Sequence, residues 1–321
     1  MSPTTLPPSI KWDTHNTSSP YIRPTELNNH KYGAMSTKAA LKAAKAAIDS
    51  KNWEEAVEQA NTVLEKDPSN YFAKLFLGRA NDGLSKYDDA AKAYNDATKI
   101  KPDDPQAWLG LRGMYEGLGG RNVDENIDVG MKLAEIYANL DDAHRSQSAV
   151  DKLVDHARKH GTKTQYARAL GTQLPSSPIY SYLEGRLPQP SAVLTRIAEI
   201  HETQETATIK KLIDERRLRL GATLDNTTTS VKNEVYSKSP LEGIYEEIIN
   251  WTNDDELRRE YEEKLLERVY DTLLVLPAGA KEEKRQKVMK LAHDMVVIKH
   301  PYHLAWQIEL EWQSGLDVEA Y

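Results

Sequence analysis

Two prolines, Pro68 and Pro102, stand 34 residues apart, and each closes an amphipathic segment in which small and large apolar residues recur at the same offsets. A repeat of that length is too short to bury its own faces. Each unit must stack on its neighbours, so the chain is read as an array of helical hairpins. Counted so that its proline is position 32, the second unit starts at Tyr71, with Leu77 and Gly78 at 7 and 8, Tyr87 at 17, Ala90 at 20, Tyr94 at 24 and Ala97 at 27. The first starts at Thr37, with Ala43 and Ala44 in place of Leu-Gly, then Trp53, Ala56, Ala60 and Val63. The third starts at Pro105 and keeps Trp108, Leu111 and Tyr115, but Arg112 takes the small position.

Each position has a physical task. Two helices cross closely only where side chains are small, so Gly78 or Ala44 on a first helix is expected to face Ala56 or Ala90 on a second. Proline disfavours helix in the residue before it, so Asp67-Pro68 and Lys101-Pro102 end the second helices. This pattern resembles the tetratricopeptide (TPR) repeat. The expected fold is all-α, a TPR-type solenoid of helical hairpins wound as a right-handed superhelix, with diverged repeats after the first three.

Composition divides the chain. Residues 1–34 hold Pro3, Pro7, Pro8, Pro20 and Pro24 among Ser, Thr and Asn, and are read as a disordered extension. Residues 35–120 carry the three repeats, and 121–224 diverged helical repeats with a Pro-rich loop at 174–190 and a short turn at Tyr180–Leu183. Residues 225–239 read as a polar linker, and 240–321 as further helical repeats that look truncated. His300-Pro301 followed by Ala305-Trp306 echoes Pro102 with Ala107-Trp108, as if another first helix began there.

Cysteine is absent, which removes thiolate from catalysis and metal binding. No apolar run approaches the roughly 18–20 residues of a membrane span, and the reading is cytoplasmic, with the nucleus open. His156 and His160 lie four apart but lack the HExxH glutamate. Gly117, Gly119 and Gly120 read as a helix–helix turn, and acid pairs such as Asp88-Asp89, Asp141-Asp142 and Asp254-Asp255 as helix starts. No enzyme, cofactor or metal site is expected.

The candidate site is the concave face of the first helices, at positions 2, 5, 9 and 12. It comprises Lys38, Leu41, Lys45 and Ile48, then Phe72, Leu75, Arg79 and Asp82, then Gln106, Leu109 and Glu116. Leucine recurs at position 5, and a mixed apolar and charged face suits an extended or helical peptide. Two basic clusters, Lys210, Lys211, Arg216, Arg217 and Arg219, and Lys281, Lys284, Arg285, Lys287 and Lys290, are interleaved with acids. They read as solvated helix faces, with RNA contact a minor possibility.

Met35–Gly120, which opens MSTKAALKAAKAAI and runs through Asp67-Pro68-Ser69-Asn70-Tyr71 to Gln106-Ala107-Trp108-Leu109-Gly110-Leu111, resembles the N-terminal part of the TPR scaffold of the Ski (superkiller) complex. The resemblance implies a non-catalytic scaffold. Its partners would be a DExH RNA helicase, WD-repeat propeller subunits and exosome-linked factors, in 3′-to-5′ mRNA decay in the cytoplasm. The rival is a chaperone-associated adaptor that holds a C-terminal peptide in a carboxylate clamp. The clamp positions here are Leu41, Lys45, Phe76, Gln106 and Gly110, of which one is basic.

Overall fold

The structure, a computed structural model, describes residues 36–220, 224–276 and 281–315. The expected extension at 1–34 lies outside the described residues. Fifteen helices and no strand occur among the described residues. The three sequence repeats form α1 (Thr37–Asp49), α2 (Trp53–Lys66), α3 (Tyr71–Gly83), α4 (Tyr87–Ile100) and α5 (Pro105–Gly117). Then follow α6 (Val123–Asn139), α7 (Ala143–His160), α8 (Lys163–Gly171), the single turn α9 (Tyr180–Leu183) and the long α10 (Pro190–Leu220). The chain continues through α11 (Leu224–Tyr236), α12 (Leu241–Trp251), α13 (Asp255–Val275), α14 (Lys281–Val297) and α15 (His303–Gln313).

Helix starts are set by polar side chains that satisfy otherwise orphaned N–H groups. Asn70, Asp104, Asp142 and Asp254 each accept from the first turn of their helix, and Thr162 with Gln165 closes a capping box. Helix ends carry a signal that the sequence hides. α1, α3, α6 and α14 all stop in a Schellman turn, with Lys51, Ser85, Asp141 and Lys299 at positive φ. In each, the next N–H donates to a carbonyl five residues back: Asn52 to Ala47, Lys86 to Asn81, Asp142 to Tyr137 and His300 to Met295, all at 2.8 Å.

The turn that joins α14 to α15 is thus the one inside the α1–α2 and α3–α4 hairpins. The sequence expectation makes Trp306 part of another first helix; α15, which carries it, follows this Schellman turn and packs on α14. The tryptophan echo is local: Trp108 Nε1 donates to Pro102 O at 2.9 Å, and Trp306 Nε1 to His300 O at 2.6 Å.

Two cores run through the array. One extends from Ala44 in α1 to Leu183 in α9, the other from Ala167 in α8 to Ile308 in α15, and Val154 on α7 packs against both. The partner of Gly78 is not an alanine. A Cβ added there would meet the ring of Tyr94 on α4, while Ala56 packs with Ala47 and Ala80. Gly130, eighth in α6, packs in the same way on Leu153 of α7, a close contact the diverged sequence did not announce.

The expected linker at 225–239 is mostly helix α11. Val231 is fully buried, Arg216 of α10 bonds Ser230 and Glu234, and Lys232 pairs with Asp271 of α13 at 3.4 Å. Tertiary contacts override the weak helix propensity of its threonines.

Candidate partner-binding face

α1, α3 and α5 are first helices of successive repeats and pack side by side in one layer. Lys38, Lys45 and Gln106 are exposed, while Leu41, Ile48, Arg79 and Leu109 are half-buried. Leu75 has 0% of its surface exposed and belongs to the first core, so it cannot touch a partner. Its helix α3 is covered by α1 on one flank and α5 on the other, which explains why the same register position is sealed there. Asp82 is half-buried, and burial pushes its carboxyl up. Glu116 is exposed and pairs with Arg112 at 3.5 Å.

Phe72 is the prominent apolar group of the face, with 44% of its surface exposed. Tyr71 holds it edge-on at 5.3 Å between ring centroids. Lys101, from the turn before α5, places Nζ 4.8 Å from the Tyr71 ring and 5.1 Å from the Phe72 ring. Arg79 reaches Gln106 Oε1 at 3.4 Å and ties α3 to α5. Sequence reading missed Lys101, which lies outside the first helices, and Leu140. Leu140 is 61% exposed and lines, with residues Lys101 to Gln106, a shallow depression of about 600 Å³. An exposed aromatic edge beside an ammonium, with Asp103 and Asp104 on the same turn, offers an apolar contact and charge of both signs.

The clamp positions tell against an anion clamp. Phe76 is buried, and the Cα of Gly110 lies against the Tyr94 ring. Neither can donate to a carboxylate. His156 and His160 stack at 4.9 Å between centroids, and no group of three metal-ligating side chains occurs among the described residues. Much of the basic clusters is paired with acids: Arg216 with Glu234, Lys284 and Lys287 with Glu242, Arg285 with Glu282. Arg219 lies outside the side chains described. Among the described residues no helix is long and apolar enough to cross a membrane.

Tetratricopeptide-repeat family models match residues 41–111 and 175–262. The chain carries tetratricopeptide repeats. It is 35% identical over 286 residues to superkiller protein 3 of Schizosaccharomyces pombe, and 28% identical over 299 residues to that of Saccharomyces cerevisiae. Each alignment covers 88% of this chain and 20% of the relative. The human superkiller complex protein 3 is 37% identical over 105 residues, 32% of this chain and 7% of its own length. The chain thus spans about a fifth of the length of the two yeast relatives. The second family match covers the Pro-rich loop and the α11 segment, where the sequence had shown no clean repeat.

Proposed function

We propose that this chain is an arm of a non-catalytic TPR scaffold of the Ski complex, which assists the cytoplasmic exosome in 3′-to-5′ mRNA decay. The observation that carries the reading is the 35% identity to superkiller protein 3 across 88% of the chain. The array holds partners through its surface, and the α1–α3–α5 face, centred on Phe72 and Lys101, is the site we assign to one of them. Its occupant is a peptide segment of a protein partner, extended or helical, with an apolar anchor for Phe72.

Affinity capture from cells with the tagged chain tests both levels. A DExH helicase, propeller subunits or exosome-linked factors are the expected catch, and capture of Hsp70 or Hsp90 instead would move the chain to the chaperone adaptors. Phe72→Glu with Leu109→Glu should remove at least one of those proteins while circular dichroism is unchanged. Full retention would exclude the face.

A further inference from the structure

Far from that face, α12, α13 and α14 enclose a cleft of about 380 Å³. Consecutive packing of the three helices makes α12 and α14 its walls and α13 its floor. Leu265 and Met295 are buried at its base, Ile249 and Leu291 are half-buried, and Ile298 at the lip is 60% exposed. Val297, next in the chain, is 65% exposed.

Three carboxylates line the same space: Glu246, Glu262 and Asp294. Glu246 is already paired, with Oε1 2.5 Å from Lys287 Nζ. The other two are not neutralised in this way. Glu262 Oε2 is buried and has no hydrogen-bond partner, and His300 Nε2, equally buried and unbonded, stands 3.9 Å away, beyond bonding reach. Burial pushes the Glu262 carboxyl up, against the pull of His300, Arg258 and Arg259. Asp294 is exposed and forms no ion pair among the described residues. Glu262 Oε2 is sealed beside His300, but its side chain is 18% exposed, so the carboxylate and the exposed Asp294 still present negative charge to the cleft.

We propose that this cleft docks a partner protein segment through an arginine or lysine whose aliphatic stem lies on Ile249, Leu291 and Met295 and whose charged head meets Glu262 and Asp294. Long basic side chains lay their methylenes along apolar surface and keep the charge at a polar end, which matches this order of apolar floor and acidic wall. The space holds one or two side chains, not a folded module. Exposed Ile298 and Val297 continue the apolar contact outside, so the occupant carries a leucine-like residue beside its basic one. The acidic lining repels nucleic acid phosphate. The proposal is independent of which complex the scaffold serves, since it needs only this hairpin and its neighbour.

The test is fluorescence anisotropy of the purified full chain with a labelled alanine-rich peptide that carries two arginines around a leucine pair. Two controls replace the arginines by glutamate or the leucines by serine. Saturable binding is expected, weakened roughly tenfold by either control and by Glu262→Gln with Asp294→Asn. Ile298→Arg, at an exposed position that cannot unfold the hairpin, should weaken it too, while Phe72→Ala leaves it unchanged. Absence of saturable binding, equal binding of the glutamate peptide, or indifference to Ile298→Arg would overturn the assignment. So would self-association in sedimentation equilibrium that Ile298→Arg abolishes, since the cleft would then be occupied by a second copy.

Discussion

The ring of Tyr94 closes against the bare Cα of Gly78: a Cβ at residue 78 would stand 2.6 Å from its Cδ1 and 2.7 Å from its Cε1. Gly110 of the next repeat approaches the same ring from α5, with a Cβ distance of 2.4 Å to Cε1. One tyrosine thus serves as the spacer between two repeats, and small residues at both contacts are required for the helices to reach it. This is the sequence → packing link that the 34-residue period encodes.

Gly78→Ala should therefore lower the melting temperature although alanine is the better helix former. Overpacking costs about 1–3 kcal/mol against a propensity gain near 1 kcal/mol, a net loss of up to about 2 kcal/mol. Gly113, exposed on α5 with nothing near its Cβ, is the counter-test. There the same substitution should stabilise by about 1 kcal/mol. Equal effects in chemical denaturation would refute the steric account, as would failure of Tyr94→Leu to relieve Gly78→Ala.

The Schellman turns give a second prediction. Ser85 holds φ at 59°, in a region where a Cβ crowds the carbonyl, at a cost of roughly 1–2 kcal/mol. Ser85→Gly should remove most of that strain and stabilise the chain by about 1 kcal/mol after the greater unfolded-state entropy of glycine is deducted. Ser85→Val should destabilise it. A glycine variant with a lower midpoint in urea would sink this assignment.

These turns also explain what the sequence could and could not convey. The first five helices were legible because Pro68, Pro102, Gly78 and the aromatic positions act locally and recur. Lys51, Ser85, Asp141 and Lys299 share a conformation but none is the glycine that usually marks it, so the turns they make were invisible. Leu75 and Leu109 occupy the same register, and only the flanking helices decide that one is sealed and the other half-open. α11 looked like linker because what supports it is tertiary: Val231 is buried, Arg216 of α10 bonds Ser230 and Glu234, and Lys232 pairs with Asp271 of α13, 39 residues along the chain.

Acid should loosen the array before its surface carboxylates titrate. Burial, with repulsion from His160, holds the His156 imidazole below its ordinary 6.5, against Glu116, the Gly119 backbone and Asp155. Burial depresses His201 likewise, against Glu205. A cationic group with a lowered folded value favours the native state fully above 6.5, and that stability is lost as pH falls through the lower value. Asp96 and Asp124, held low by bonds to Lys74 and Gln165, lose their contribution only below 3.8. The melting temperature should thus decline as pH falls below 6.5, and His156→Gln with His201→Gln should flatten that slope. An unchanged slope in the double variant would exclude the histidines.

The last prediction concerns the charge pair that joins α10 to α13. Arg268 donates two hydrogen bonds to Glu205, at 2.9 and 3.1 Å, with the side chains 8% and 13% exposed. The Tyr236 ring of α11 lies 4.3 Å from the same guanidinium. Bidentate geometry and an aromatic face together offset the desolvation that a lone buried arginine would suffer. Glu205→Ala leaves that arginine without its anion and should cost about 3–5 kcal/mol, enough to detach α11 and expose its amides to hydrogen exchange. Replacing both partners, as Glu205→Leu with Arg268→Met, removes the uncompensated charge along with the bonds and should recover most of the loss. A double variant as unstable as Glu205→Ala would mean that the pair acts through its shape alone, and that α11 is held by Val231 and not by the charge.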